Sequence, residues 1–206
     1  MIKNLMFDLG GVIMDIDRNR CVRAYEALGL KDAESYLGVY VQSGIFADLE
    51  GGKITPAQFR TELRKGFDRP VTDAEIDAAF TRFLIGIPRH RLEELRALRK
   101  DYGMYLLSNT NPIMWNGMIR TEFEQEGLER EDYFDGLVTS FEAKSMKPDA
   151  RIFDYARDKF GIDPAETLFL DDSQTNVDAA RALGWQAALV PPGTEFTDVV
   201  NKFMRL

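Results

Sequence analysis

Side chains that can act on a phosphate group stand at or shortly after the ends of several short apolar segments of this chain. The set combines three carboxylates with a hydroxyl, an amide and an amine. Its members are Asp8, Ser108, Asn109, Lys147, Asp171 and Asp172. Taken singly, each has an ordinary explanation, because aspartate and serine often cap helices and a lysine before proline is usually a solvated loop charge. Their joint occurrence favours a shared chemical function.

Phosphoryl transfer is the chemistry that this set of side chains suits. Two or three carboxylates in one crevice repel each other unless a cation holds them, and oxygen ligands without histidine or thiolate select a hard ion such as Mg²⁺. The metal and the lysine would neutralise phosphate oxygens, while the serine hydroxyl and backbone amides donate hydrogen bonds to the same group. One carboxylate can then attack phosphorus and form an aspartyl-phosphate, which water hydrolyses.

Alternating apolar strands and helices place these residues along one edge of a predicted sheet. The predicted strands are residues 2–7, 104–108, 136–139, 168–170 and 186–190. The helices predicted between them include residues 112–125, 149–160 and 177–183. Short apolar strands joined by helices indicate an α/β fold with a Rossmann-like parallel sheet covered on both faces. In such a sheet the ligand crevice lies outside the carboxyl ends of the strands, which is where the polar residues follow.

The stretch between the first two strands has a different pattern, with several helix starts and no comparable strand. The segments that begin at Thr55 and Thr72 both have the capping-box pattern. We therefore predict an inserted all-helical cap domain over residues 17–86. The core domain is then built from residues 1–16 and 87–206.

Composition excludes several classes of site and partner. The 206 residues carry 26 Lys and Arg against 34 Asp and Glu, a formal net charge of −8, which argues against a nucleic-acid or anionic-membrane partner. One histidine, His90, and one cysteine, Cys21, exclude a Cys/His zinc cluster and a disulfide within the chain. No segment reaches the roughly 18 apolar residues of a membrane-spanning helix. We therefore expect a cytoplasmic protein with a small-molecule partner, and its oligomeric state is left open.

Four short motifs resemble those of the haloacid dehalogenase superfamily, in the order that this superfamily has. Asp8 lies in MFDLGGVIMDID, Ser108 in LLSNTN, Lys147 in SMKPDARIF, and Asp171-Asp172 in LFLDDSQTNVDAA. The helical insertion resembles the type-1 helical cap of that superfamily. Within it, the combination is similar to bacterial sugar-phosphate phosphatases of the α-glucose-1-phosphatase type. The resemblance implies a magnesium-dependent phosphatase that hydrolyses a small phosphorylated metabolite, with a sugar phosphate as the expected substrate, through an aspartyl-phosphate.

The resemblance also implies a role for each matching residue. Asp8 is the nucleophile and holds magnesium with one carboxylate oxygen, and the backbone carbonyl of Gly10 is a second metal ligand. Asp172 is expected on the metal, with Asp171 orienting coordinated water, although the two roles can exchange. The residues implied to hold the phosphate are Ser108, the Asn109 amide and Lys147, the first and last of which also serve catalysis.

One position departs from the superfamily pattern. Most of its phosphatases have an aspartate two residues after the nucleophile, which protonates the leaving oxygen and then activates water, whereas this chain has Gly10. Three explanations stay open: Asp15 or Asp17 serves as the acid, the substrate has a leaving group that needs little acid help, or the protein is a poor catalyst. Asp17 has the further interpretation of a helix cap.

Two alternative functions follow from the same departure. A metal-independent 2-haloacid dehalogenase also lacks the second aspartate. The Asp171-Asp172 pair weighs against it, because a metal-free site gains little from extra carboxylates beside its nucleophile. The other alternative is a non-catalytic phosphoacceptor or scaffold protein with a degenerate phosphatase site.

A glycine-containing turn in the helical insertion is a further candidate for contact with the substrate. Residues 49–54, LEGGKI, resemble the substrate-facing loop of related phosphatases, in which glycines allow close approach of the backbone. An ordinary connection between two helices is the alternative interpretation of this turn.

Overall fold

A five-stranded, all-parallel sheet forms the centre of the protein, whose computed structural model describes residues 1–38 and 42–205. The strands of the chain are β1 (Asn4–Phe7), β2 (Asp15–Ile16), β3 (Leu84–Gly86), β4 (Gly103–Ser108), β5 (Gly136–Thr139), β6 (Thr167–Asp171) and β7 (Gln186–Leu189). The sheet has the order β5-β4-β1-β6-β7, and each neighbouring pair runs parallel. The predicted α/β fold with a parallel five-stranded sheet is confirmed, and each strand ends within two residues of its predicted bounds.

The central strand β1 is apolar because it is covered on both faces. Leu5, Met6 and Phe7 are all fully buried. Leu5 and Phe7 belong to the larger of two hydrophobic clusters and Met6 to the smaller one, since successive side chains of a strand point to opposite faces. The next residue, Asp8, donates its backbone N–H to the Leu170 carbonyl at 2.8 Å. The end of β1 therefore stays in register with the end of β6.

Helices fill the stretch between β2 and β3. In the described residues of that stretch they are α1 (Arg18–Leu28), α2 (Ala33–Tyr36), α3 (Gly44–Glu50), α4 (Pro56–Arg64) and α5 (Asp73–Thr81). Thr55 forms the predicted capping box with Gln58 at the start of α4. Thr72 does the same with Glu75 at the start of α5. Both predicted helix starts are therefore confirmed.

These helices pack around an aromatic core of their own. The ring centroid of Phe46 lies 4.9 Å from that of Phe59 and 5.1 Å from that of Phe80, in edge-to-face geometry. These rings and Tyr25 of α1 are fully buried. A predicted cap domain requires such an apolar core. The predicted division of the chain into residues 17–86 and the remainder stays a prediction.

A short antiparallel ribbon of β2 and β3 joins the helical stretch to the sheet. The sequence does not predict this ribbon, because strands of two and three residues have no readable periodicity. Arg91 stabilises it by donating hydrogen bonds to Asp15 Oδ1 at 2.7 Å and to the Ile13 carbonyl at 3.2 Å. The stretch predicted to be entirely helical thus ends in a strand, which is a correction.

The remaining helices cover the two faces of the sheet. They are α6 (Arg89–Leu98), α7 (Pro112–Met114), α8 (Arg120–Phe123), α9 (Arg130–Tyr133), α10 (Ser140–Ala143), α11 (Ala150–Phe160), α12 (Gln174–Ala182) and α13 (Phe196–Met204). The predicted helices over 149–160 and 177–183 correspond to α11 and α12. Within the described residues, no helix combines the length and the apolar composition that crossing a membrane requires.

The helix predicted over residues 112–125 is interrupted. A π-helical turn at Trp115–Ile119 separates α7 from α8, and Gly117 within it has φ −98° and ψ −113°. Glycine reaches this conformation more easily than other residues because it has no Cβ atom. The prediction of a continuous helix is therefore wrong, and a glycine in the middle of the pattern is the cause.

Candidate active site

Three carboxylates meet at the edge of the sheet where β1 and β6 end. Asp8 follows β1, Asp171 is the last residue of β6, and Asp172 comes next. One carboxylate oxygen of each residue lies within 4.8 Å of the corresponding oxygens of the other two. The parallel pairing of β1 with β6 thus brings together acidic residues that are more than 160 positions apart in the sequence.

Lys147 lies between two of these carboxylates. Its Nζ atom is 2.8 Å from Asp8 Oδ1 and 2.7 Å from Asp171 Oδ2, and 2% of the residue is exposed. Although burial lowers the pKa of Lys147, the charges of Asp171 and Asp8 raise it above its usual value. The lysine is therefore a fixed cation in the centre of the site.

The two adjacent aspartates have different surroundings. Asp171 is fully buried, and its oxygens accept hydrogen bonds from the Lys147 ammonium at 2.7 Å, the Ser173 backbone N–H at 2.8 Å and the Asn176 amide at 3.0 and 3.2 Å. Asp172 is partly exposed and lines the adjacent pocket. Because the Asp171 oxygens already have several donors, Asp172 is the better placed of the two to coordinate a metal. That assignment stays a prediction.

The three carboxylates carry more negative charge than Lys147 balances. Burial raises the pKa of Asp8 to about 7, Lys147 opposes the rise, and the charges of Asp171 and Asp172 add to it. Burial and the charge of Asp171 also raise the pKa of Asp172 to about 6. A second cation would relieve this repulsion, and a cluster of carboxylate oxygens suits a hard divalent ion. The side chains present therefore fit Mg²⁺.

Gly11 makes room for the Asp172 carboxylate. Its φ of +76° lies in the left-handed region, and a Cβ atom at this position would overlap Asp172 Oδ2. Glycine adopts this conformation without steric cost. Both the backbone conformation and the available space therefore require glycine beside Asp172.

We expect Gly11→Ala to weaken Mg²⁺ binding by about 10- to 100-fold, the usual cost of disturbing a group that orients a metal ligand. Gly193→Ala is the matched control, because Gly193 has φ +77° and no neighbouring atom within 4 Å of an added Cβ. Both variants carry similar backbone strain, so calorimetric titration with Mg²⁺ isolates the displacement of Asp172. Equal affinities in the two variants would contradict a role for Asp172 in metal binding.

Ser108 and Asn109 lie at the carboxyl end of β4, which neighbours β1, and both line the same pocket as Asp8. The Asn109 side chain forms a reciprocal pair with the backbone of Lys147. Its Nδ2 donates to the Lys147 carbonyl at 3.0 Å, and its Oδ1 accepts from the Lys147 N–H at 2.8 Å. This side chain positions Lys147, so the predicted phosphate contact of Asn109 falls to its backbone amide.

The pocket that Asp8 lines is covered by side chains of the helical stretch. Gln42 and Glu50, the last residue of α3, supply polar groups from that side. Gln42 Oε1 is buried without a hydrogen-bond partner among the described residues. Apolar walls are formed by Ile16, Phe80, Phe83, Leu84, Met114 and Ile119. The pocket therefore combines an anion-binding floor with a cover of mixed polarity.

Asp15 and Asp17, the acids that the sequence suggests in place of the missing aspartate, both have other partners. Asp15 forms an ion pair with Arg91 at 2.7 Å, and Asp17 caps α1 by accepting a hydrogen bond from the Asn19 N–H at 2.9 Å. The described lining of the pocket includes neither aspartate. The helix-cap interpretation of Asp17 is therefore the one that the structure supports.

Ser140 is a site residue that the sequence patterns do not single out. It is fully buried at the carboxyl end of β5, and its Oγ donates to the Glu50 carbonyl at 2.7 Å and accepts from the Thr110 N–H at 3.0 Å. It therefore connects the turn at 49–54 to the loop that follows β4. The one feature of the sequence that could have pointed to Ser140 is its position directly after a predicted strand, at the same edge of the sheet as Ser108.

A family model of haloacid dehalogenase-like hydrolases matches residues 2–184 of the chain. D-ribitol-5-phosphate phosphatase of Bacteroides thetaiotaomicron is 41% identical over 186 residues, which are 90% of each protein. A solved structure of an alanine variant of a haloacid dehalogenase family enzyme from the same species, in complex with magnesium and inorganic phosphate, is 38% identical. It has a TM-score of 0.93 and covers 97% of this chain and 99% of that one.

A second similar structure is that of a predicted haloacid dehalogenase-like hydrolase from Porphyromonas gingivalis. It is 32% identical with a TM-score of 0.92, and the alignment covers 100% of this chain and 99% of that one. The similarity therefore includes the helical stretch as well as the sheet.

Proposed function

Because the chain belongs to the haloacid dehalogenase-like hydrolases, we propose that it is a magnesium-dependent phosphomonoesterase with Asp8 as the nucleophile. The observation that carries this proposal is the placement of Lys147 between Asp8 and Asp171, with Asp172 alongside. Such a site offers one carboxylate for attack on phosphorus and others for a divalent cation. It also offers a fixed positive charge for the phosphate oxygens.

Each residue of the site has a distinct task in this proposal. Asp8 attacks phosphorus with one carboxylate oxygen, forming an O–P bond as the bond to the leaving group breaks in line with it. Lys147 and the Ser108 hydroxyl stabilise the charge on the other phosphate oxygens. The Asp8 and Asp172 carboxylates and the Gly10 carbonyl would hold Mg²⁺, with Asp171 beside them as a further carboxylate, and the ion would supply further charge neutralisation when it is bound.

We propose a phosphorylated sugar alcohol or sugar as the substrate. The relative that shares 41% identity acts, by its name, on D-ribitol 5-phosphate. The pocket supports the same class, because Gln42 Oε1 lacks a hydrogen-bond partner among the described residues and would accept one from a substrate hydroxyl. A purely apolar ligand would leave that oxygen buried and unsatisfied, which costs about 1–3 kcal/mol.

The proposed activity is tested by measuring phosphate release from D-ribitol 5-phosphate and a panel of other alditol and sugar phosphates. We expect turnover with Mg²⁺ and a loss of about 10³-fold or more after chelation by EDTA, restored by added Mg²⁺, since the cation balances charge that develops on phosphate. In parallel, chloride release from 2-chloropropionate in EDTA is measured as the signature of the dehalogenase alternative. Phosphate release that is insensitive to EDTA, or metal-free chloride release, would contradict the proposal.

A further inference from the structure

Resting on the proposed function, we propose that Glu50 is the catalytic residue that protonates the leaving-group oxygen and then takes a proton from the attacking water. Glu50 is the last residue of α3, 7% of it is exposed, and it lines the pocket that also contains Asp8, Ser108 and Lys147. The usual position for such an acid, two residues after the nucleophile, holds Gly10.

The direction of attack places the leaving group on the side from which Glu50 enters the pocket. Asp8 stands at the sheet edge, and in phosphoryl transfer the attacking and leaving oxygens lie roughly in line on opposite sides of phosphorus. The leaving oxygen therefore points away from the sheet edge, toward the helices that cover the pocket. Glu50 is supplied by α3, one of those helices.

The backbone around Glu50 is fixed to the core of the protein. Ser140 Oγ donates to the Glu50 carbonyl at 2.7 Å, and Lys144 Nζ donates to the Gly52 carbonyl at 2.6 Å. Gly52 has φ +63°, and an added Cβ would overlap the Phe141 carbonyl oxygen. The loop thus packs directly on α10, so the position of Glu50 relative to Asp8 is set by contacts outside α3.

Glu50 is also the ionisable residue in the described pocket lining that has no role at the proposed metal and phosphate sites. The ionisable residues in the described lining are Asp8, Glu50, Lys147 and Asp172. Asp8 is the nucleophile, Lys147 neutralises phosphate and Asp172 is assigned to the metal. The Gln42 amide cannot release a proton, so Glu50 is the remaining donor.

The environment of Glu50 keeps its proton available near neutral pH. Burial, followed by the negative charge of Asp8, raises the pKa of Glu50 to about 8. The protonated carboxyl transfers its proton to the leaving oxygen as the phosphorus–oxygen bond breaks, which yields a free alcohol and a carboxylate. The carboxylate then accepts a proton from water as water attacks the aspartyl-phosphate and displaces Asp8, so that phosphate leaves and Glu50 is protonated again.

The dependence of Glu50→Gln on the leaving group tests this role. For an alkyl phosphate such as D-ribitol 5-phosphate, we expect kcat/KM to fall by about 10²-fold or more, because the alkoxide must be protonated as it leaves. For p-nitrophenyl phosphate, kcat/KM should fall by less than about tenfold, because p-nitrophenolate leaves without a proton. The variant should also give a burst of one p-nitrophenolate per active site, because the later attack of water lacks its base.

Glu62→Gln is the matched control, because Glu62 is an exposed glutamate of the same helical stretch and pairs with Lys65 at the surface. It should match the wild type with both substrates. Glu50→Gln should unfold at a temperature equal to or above that of the wild type at pH 8. The reason is that the pKa of the Glu50 carboxyl is raised from 4.5 to about 8 in the folded protein. Such a group destabilises the folded state increasingly as the pH rises from the first value to the second.

The outcomes separate this inference from the proposed function. If Glu50→Gln lost kcat/KM equally with both substrates and gave no burst, Glu50 would have a role in binding or structure, and its assignment as the acid and base would be overturned. Wild-type rates of Glu50→Gln with both substrates would overturn the assignment as well. A wild type that hydrolyses neither ester with Mg²⁺ would refute the proposed function itself, and the role of Glu50 with it.

Discussion

Asp8→Asn abolishes turnover, with kcat reduced by about 10⁵-fold or more, the scale of loss when a catalytic nucleophile is removed. The asparagine side chain occupies nearly the same volume as that of aspartate, but its uncharged amide does not attack phosphorus to form an acyl-phosphate. The substitution also leaves the Lys147 ammonium paired with Asp171 at 2.7 Å, so the pocket retains its fixed cation. Steady-state phosphate release, measured with Mg²⁺ and D-ribitol 5-phosphate or p-nitrophenyl phosphate, checks this expectation.

A matched control distinguishes loss of the nucleophile from a general loss of negative charge. Asp178→Asn changes an exposed aspartate of α12 that forms a hydrogen bond with Gln174 at 2.7 Å, and it should leave kcat unchanged. Equilibrium binding of inorganic phosphate should persist in Asp8→Asn. Wild-type turnover by Asp8→Asn would exclude Asp8 as the nucleophile.

Lys147→Met is expected to destabilise the metal-free protein by about 3–5 kcal/mol, the usual cost of removing one partner from a buried ion pair. The methionine side chain fills the space but leaves Asp8 and the fully buried Asp171 without the cation that lies 2.8 and 2.7 Å away. Because Lys147 holds the pKa of Asp8 down against burial, its loss raises that pKa further and leaves less of the nucleophile ionised at pH 7. Activity should fall by about 10³-fold or more.

Urea unfolding without metal and phosphate release with Mg²⁺ measure the two effects of this substitution. The matched control is Lys3→Met, because the side chain of Lys3 is 65% exposed and its ammonium pairs with Glu166 at the surface. An exposed pair of this kind contributes about 0–1 kcal/mol, so Lys3→Met should unfold close to the wild type. If Lys147→Met and Lys3→Met were equally stable and active, Lys147 would not be the central cation of the site.

The sheet and the polar residues at its edge could be predicted because both follow from local patterns. A buried strand such as β1 has a continuous apolar run that ends in Asp8, and parallel strands place their carboxyl ends at one edge. That rule is sufficient to bring Asp8, Ser108 and the Asp171-Asp172 pair together. The order of the strands and the central position of β1 are shown by the structure.

Residues whose importance depends on how distant segments pack could not be predicted in the same way. The loop that carries Glu50 packs on Ser140 and Phe141 of α10, and nothing local in LEGGKI indicates that contact. The resemblance of this turn to a substrate-facing loop makes it a candidate for contact with the substrate, but it does not single out Glu50. Asp15 illustrates the opposite case, since its closeness to Asp8 in sequence suggests an acid while Arg91 holds it elsewhere. Proximity along the chain does not decide which side chains reach the pocket, because Ile16 lines it while the neighbouring Asp15 does not.

The stereochemical course at phosphorus tests the covalent phosphoryl-enzyme most directly. The substrate is a phosphorothioate monoester whose two non-bridging oxygens are different isotopes, and it is hydrolysed with Mg²⁺ in water that carries the third oxygen isotope. The inorganic thiophosphate released is then chiral, and its configuration is determined. Attack by Asp8 followed by attack of water comprises two in-line displacements, each of which inverts phosphorus. Overall retention of configuration is therefore expected. Overall inversion would show that water attacks the substrate directly and would contradict the role of Asp8 as nucleophile.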